Sequence, residues 1–182
     1  MPPEIKVTKD RILETAYAMT REEGFENVTA RRLAARLECS TQPIFRAYKN
    51  MDELKADIAE LATDAFTGVI NDSFNDRRPL HALVMNYLKF ALREKNLYRM
   101  MFMDVDSEGS AFSDIFGDPG FDQVLMRMDD MDAFSLMERR LLFMQSWIFV
   151  HGMASMTVTG DLSLSESDLE DLLNTTLSQL MS

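Results

Sequence analysis

The 182 residues suffice for one compact domain, or for a small module fused to a larger one. With 46% hydrophobic and 27% charged residues the composition is globular, which excludes collagen-like, low-complexity and disordered chains. A net charge of −11 argues against coating nucleic acid or an anionic membrane with the whole surface. The single cysteine, Cys39, can form no internal disulfide, so packing in a reducing, cytoplasmic compartment is the expectation.

The charge is unevenly placed. Residues 1–55 hold 10 Lys or Arg against 9 acids, whereas the remaining 127 residues hold 9 against 21. A near-neutral N-terminal module therefore precedes a strongly acidic one. The opening MPPEIKVTKDRIL is polar and charged, without the apolar stretch of a signal peptide.

Helical periodicity dominates, and no segment alternates apolar and polar residues over strand length. Thr8 is a predicted N-cap, after which Ile12, Leu13, Ala16, Tyr17 and Met19 fall at helical spacing until Gly24 stops the helix. Asn27 and Thr29 mark a turn and a second cap; Leu33, Ala34 and Leu37 then form one face and Arg31, Arg32 and Arg36 another, ending near Glu38. Ser40 is expected to cap a third helix, TQPIFRAYK, with Pro43 at about its third position, where no intrahelical N–H bond is lost. Ile44, Ala47 and Tyr48 point one way, while Thr41, Gln42, Arg46 and Lys49 point the other.

After a break at Asn50 to Asp52, a longer helix is predicted from about Glu53 to Phe74, then one from Pro79 to about Arg93, and LYRMMFMDV continues helically to Asp104. Residues 104–122, rich in Asp, Ser, Gly and Pro, read as a loop with at most a short helical piece, whose acidic spacing does not match a calcium loop, so no metal is expected there. A long helix spans about Phe134 to Thr159 and a last one about Ser165 to Leu180, with a stripe of Leu169, Leu172, Leu173, Leu177 and Leu180. Residues 141–160 contain no Asp, Glu, Lys or Arg, yet Gln145, Ser146, His151 and Gly152 interrupt them. A helix buried on most sides is expected, not a membrane span.

Two short helices joined by a turn, the second with a polar face, fit a helix-turn-helix whose second helix enters the major groove. Arg31, Arg32 and Arg36 suit phosphates, and Thr29 offers its hydroxyl and the first free backbone N–H groups of a helix start. Gln42 and Arg46, one turn apart with Thr41 beside them, suit adenine and guanine edges.

The stretch ILETAYAMTREEGFENVTARRLAARLECSTQPIFRAYKNMDEL resembles the DNA-binding domain of the TetR family of bacterial transcriptional regulators. The likeness, from about Lys9 to Leu54, rests on Ile12, Leu13, Ala16, Gly24, Phe25, Thr29, Leu33, Ala34, Ser40, Ile44, Phe45, Tyr48 and Leu54. It implies an all-α fold in which residues 1–52 form a three-helix DNA-binding domain and residues 53–182 a larger helical ligand-binding and dimerisation domain. The DNA contacts it suggests are Thr29, Arg31, Arg32, Ser40, Thr41, Gln42, Phe45, Arg46, Tyr48 and Lys49. Three positions depart from the family pattern. Phe45 stands where a phosphate-touching tyrosine is usual, Tyr48 where phenylalanine is usual, and Met51 where lysine is frequent. Modest non-specific DNA affinity follows.

Of the fifteen methionines and twelve phenylalanines most gather between residues 85 and 156, and such an interior adapts around an apolar ligand. Tyr87, Phe90, Met100, Met103, Phe116, Met126, Met144, Trp147 and His151 are the ligand-binding candidates, with Tyr87, Trp147 and His151 as polar handles. The resemblance implies that a small-molecule effector filling this domain releases double-stranded operator DNA. The final two helices suit a homodimer, which predicts a palindromic operator. The runner-up is a helical dimer that binds a small molecule or protein partner and holds DNA weakly. With two histidines, one cysteine and no Gly-rich phosphate loop, neither catalysis nor a cofactor is expected.

Overall fold

The computed structural model of the protein describes residues 7–103 and 120–182; among these every regular element is helical. The loop expected at 104–122 falls almost wholly outside the described residues, as does Phe116. The elements are α1 (Lys9–Glu23), α2 (Ala30–Arg36), α3 (Gln42–Ala47), α4 (Met51–Asp72), α5 (Pro79–Arg93), α6 (Lys95–Phe102), α7 (Phe121–Met126), α8 (Leu136–Thr159) and α9 (Glu166–Leu180). Single 3-10 turns lie at Phe25–Asn27, Ser73–Asn75 and Asp129–Met131.

Two compact units result. One holds the chain up to Ala65 and the segment beginning at Asn96; the other holds Phe66–Lys95 and the chain beyond. α4 is therefore divided, its residues to Ala65 counting with the first unit.

In the first unit α1 packs on both α2 and α3. Thr8 caps α1 by accepting the Arg11 N–H, and Gly24 at φ 85° ends it, donating its N–H to the Thr20 carbonyl. Thr29 caps α2 by accepting the Arg32 N–H. Ile12, Ala16, Leu33, Ile44, Leu54 and Ile58 are fully buried at the centre. At about 1.5–3 kcal/mol for each buried aliphatic side chain, this shared core, more than helix propensity, holds such short helices.

In the second unit α8 packs on α5, α7 and α9. α8 and α9 both start with a capping box, Ser135 with Glu138 and Ser165 with Asp168. α8 is the one described helix long and apolar enough to cross a membrane by length and composition. It does not read as lipid-facing on all sides: Leu142, Phe143, Ser146, Val150, Ala154 and Val158 are buried within the unit. Its first turns carry a buried cation. Arg139 donates to the carbonyls of Leu125, Met128 and Phe134 and pairs with Asp132 at 2.9 Å, so this buried guanidinium is compensated. Asp130 accepts the Leu80 and His81 N–H groups, satisfying the start of α5 from 50 residues away.

Three boundaries differ from expectation. α3 starts at Gln42 with Thr41 as its N-cap residue and no side-chain cap bond, so Ser40 caps nothing and Pro43 is at the second helical position. In the turn before it Glu38 takes φ 54°. A left-handed conformation costs a non-glycine residue about 1 kcal/mol or more. α4 begins at Met51 and ends at Asp72, each two residues ahead of expectation. α7, inside a stretch with no predicted helix before Phe134, packs on α8 through buried Phe121 and Leu125.

Candidate nucleic-acid interface

α2 and α3 are joined by the turn 37–41, and the α1 contact to each fixes their mutual angle. Ile44 and Tyr48 bury the inner side of α3. The outer side presents Gln42, Phe45 and Arg46, at helical positions i, i+3 and i+4, with Lys49 just past the end of the helix, all exposed. Phe45 keeps 53% of its surface in solvent. The side chains of Gln42, Arg46, Lys49 and Arg31 make no hydrogen bond or ion pair among the described residues, so their donors are available.

The other predicted contacts fare differently. Arg32 donates to the Asn27 carbonyl at 2.9 Å and pairs with Glu23, while Arg36 pairs with Glu22 at 2.8 Å. Both guanidinium groups are turned to α1, which lowers the positive field of the head. Thr29 spends its hydroxyl on the α2 cap. Ser40 is exposed and Thr41 half-buried.

Tyr48 is the clearest correction: 1% exposed, it donates its hydroxyl to Asp57 Oδ2 on α4 at 3.1 Å, away from the outer side of α3. Lys9 Nζ is 2.8 Å from the same oxygen and 4.7 Å over the Tyr48 ring. The Lys9 ammonium, then the Tyr48 hydroxyl, hold the Asp57 carboxyl below its usual range. Burial and then the neighbouring carboxylate push the Tyr48 phenol up.

In the second unit, five aromatic rings join in sequence. Phe90 meets Phe66 at 5.2 Å, Phe66 meets Tyr87 at 5.6 Å, Tyr87 meets Trp147 at 4.7 Å, and Trp147 stacks on Phe143 at 6.0 Å. The Tyr87 hydroxyl lies 2.7 Å from His151 Nδ1. Burial lowers the His151 pKa below 6.5. The Ser146 hydroxyl, one residue before Trp147, is buried without a hydrogen-bond partner among the described residues.

Tyr87, Phe90, Trp147 and His151 are thus gathered in one cluster, and Met144 is half-buried one turn before Trp147. Met100 and Met103 are not part of it, because α6 with Leu97, Tyr98 and Met100 counts with the first unit. Met126 is 58% exposed, about 100° round α7 from buried Leu125. Sequence reasoning missed Phe66, Phe143 and Ser146; the i, i+4 spacing of Phe143 and Trp147 was the available signal. Among the described residues no group of three or more His, Cys, Asp or Glu could hold a metal. A surface depression of about 530 Å3 near the start of α5, lined by His81, Asp130, Asn174 and Leu177 among others, lies apart from these rings.

This arrangement defines an all-helical DNA-binding protein of the helix-turn-helix class with a second helical domain. Residues 12–58 match the profile described as bacterial regulatory proteins, tetR family, and residues 80–180 match the tetracyclin repressor-like C-terminal domain. The chain belongs to the TetR family and is a transcriptional regulator. A search of curated proteins finds no match. Among solved structures, a protein with unknown function from Rhodococcus sp. RHA1 superposes with a TM-score of 0.71 at 16% identity, over 100% of this chain and 97% of that one. At that identity the likeness shows the fold.

Proposed function

We propose that the protein is a cytoplasmic, non-enzymatic repressor that binds a palindromic operator as a homodimer and leaves it when a small, apolar effector binds. In this reading residues 1–52 read DNA, and residues 53–182 bind the effector and dimerise. The observation that carries it is the outer side of α3, where Gln42 and Arg46 stand exposed with unspent hydrogen-bonding groups while Ile44 anchors the helix from behind. Arg31 and Lys49 supply phosphate contacts; Gln42 and Arg46 supply base contacts. Phe45, having no hydroxyl, makes its contact through the ring alone.

The effector reading rests on the rings around Tyr87, Trp147 and His151, with Phe90 and Met144 nearby. They form a largely buried apolar cluster with few polar atoms, a chemistry that suits an apolar molecule carrying one hydrogen-bonding group. Dimerisation rests on α8 and α9. Met137, Leu141, Ile148 and Met156 expose 75%, 54%, 60% and 48% of their surface along one side of α8, and Leu172 exposes 42% on α9. Exposed apolar side chains in such a row mark a surface meant for cover, and a second copy supplies a matching row.

Selection of duplexes from a random-sequence library tests the reading. Enrichment of a palindrome, with a gel shift lost in Arg46→Ala, is expected; a library that yields no preferred sequence refutes it. The Glu22 and Glu23 pairs to Arg36 and Arg32 favour the second reading, a ligand-binding helical dimer with weak DNA affinity, and that outcome would select it.

A further inference from the structure

Groups from three helices converge behind α3. The hydroxyl of Tyr48 and the ammonium of Lys9 both reach Asp57 Oδ2, at 3.1 and 2.8 Å. Beside them the Lys49 N–H donates to the Glu53 carboxylate and the Glu53 N–H to the Asn50 side-chain oxygen, each at 2.8 Å. The other end of α3 has no side-chain cap bond. A helix of six residues does not hold itself; packing of Ile44 and the α1 contact seat α3, and side-chain hydrogen bonds tie it at its C-terminal end alone.

We propose that Tyr48 and Asp57 are positioning residues for DNA reading, a latch that sets the angle at which α3 presents Gln42, Phe45 and Arg46, with Lys9 as the counter-charge of the carboxylate. The proposal rests on the DNA-reading function above and moves the Tyr48 hydroxyl from phosphate contact to internal support. A hydroxyl on an ionised carboxylate is a charge-assisted bond, about twice as strong as a neutral one. The lever is short but sufficient. Six residues at 1.5 Å rise make α3 about 9 Å long, so a tilt of about 10° at Tyr48 displaces the Gln42 end by about 1.5 Å. Hydrogen bonds to base edges do not survive that shift.

The latch also withdraws Lys9 from the pool of phosphate-binding cations. Its ammonium is engaged twice, by the carboxylate and by the Tyr48 ring.

The test uses the full chain, duplexes enriched from a random-sequence library by the unaltered protein, and random-sequence duplex as the non-cognate probe. Tyr48→Phe keeps the buried ring and removes only the hydroxyl. It is expected to weaken cognate binding by about tenfold, the scale of one lost bond to a charged group, while random-duplex affinity and its salt slope stay unchanged. Asp57→Ala should weaken cognate binding comparably, and the double variant should be no worse than either single one. Asp57→Asn, which keeps an acceptor for the hydroxyl, should retain part of the selectivity.

Losses that add in the double variant would place the hydroxyl on DNA independently of Asp57 and overturn the latch. Equal losses on cognate and random duplex would reduce the pair to a folding role and overturn it too. Failure to enrich any duplex removes the DNA-reading function and this proposal with it, whereas additive losses on an enriched duplex remove the latch alone.

Discussion

His151 shows how one side chain ties the second domain to pH. Its Nδ1 lies 2.7 Å from the Tyr87 hydroxyl, a natural donor to a neutral imidazole. Protonation puts a hydrogen on that nitrogen, and the hydroxyl must then turn and accept. Burial lowers the folded-state pKa below the ordinary 6.5, so the unfolded chain takes up the proton first. The contribution of neutral His151 is therefore complete above about 6.5 and is lost as pH falls from there toward the lower folded value. Melting temperatures of the natural protein and of His151→Gln should converge between pH 7.5 and about 5; parallel curves would show that the histidine is not buried in its neutral form.

At the scale of elements, α8 carries two surfaces with different tasks. Its inner side is filled by Phe143, Val150, Ala154 and Val158, while Leu141 and Ile148 face outward. Gly152 lies between Ile148 and Met156, with no atom within 4 Å of the place a Cβ would take, so a second α8 can approach closely there. Ile148→Glu puts a carboxylate on that surface. An unpaired buried charge costs about 3–5 kcal/mol, so the proposed dimer should weaken by more than about 100-fold while monomer helicity is kept. Sedimentation velocity reads this directly; an unchanged dimer would move the interface elsewhere.

What could be read from the sequence followed the range of the forces involved. Thr8, Thr29, Ser135 and Ser165 cap through bonds within three residues, and helix starts there or one residue away were legible. The start of α3 was also legible to within one residue, but not that it would lack a side-chain cap bond. Arg139, Asp130 and Tyr48 find their partners 7 to 50 residues away, beyond any periodicity. Which unit α6 joins was not legible either: the side of α6 carrying Met100 is apolar in both cases, and only the fold decides.

Across the whole molecule, the formal net charge of −11 conceals how few cations remain for DNA. Of the candidate phosphate ligands, Arg32 and Arg36 are paired with Glu23 and Glu22, and Lys9 with Asp57. Arg31 and Lys49 remain, joined on non-cognate duplex by Arg46 when no guanine edge engages it; that is three per head and about six in the proposed dimer, which gives a slope near −5 for log K against log salt. An acidic second domain adds long-range repulsion from the phosphates, which low salt strengthens and which flattens the slope further. Titrating random-sequence duplex from 50 to 200 mM salt measures the slope. A value near −9, as for about ten phosphate contacts, would mean that the Glu22 and Glu23 pairs open on DNA and release Arg32 and Arg36 to the backbone. Glu22→Gln with Glu23→Gln distinguishes the two cases, because it should steepen the slope by about two units per head only if the pairs stay closed in the complex of the natural protein.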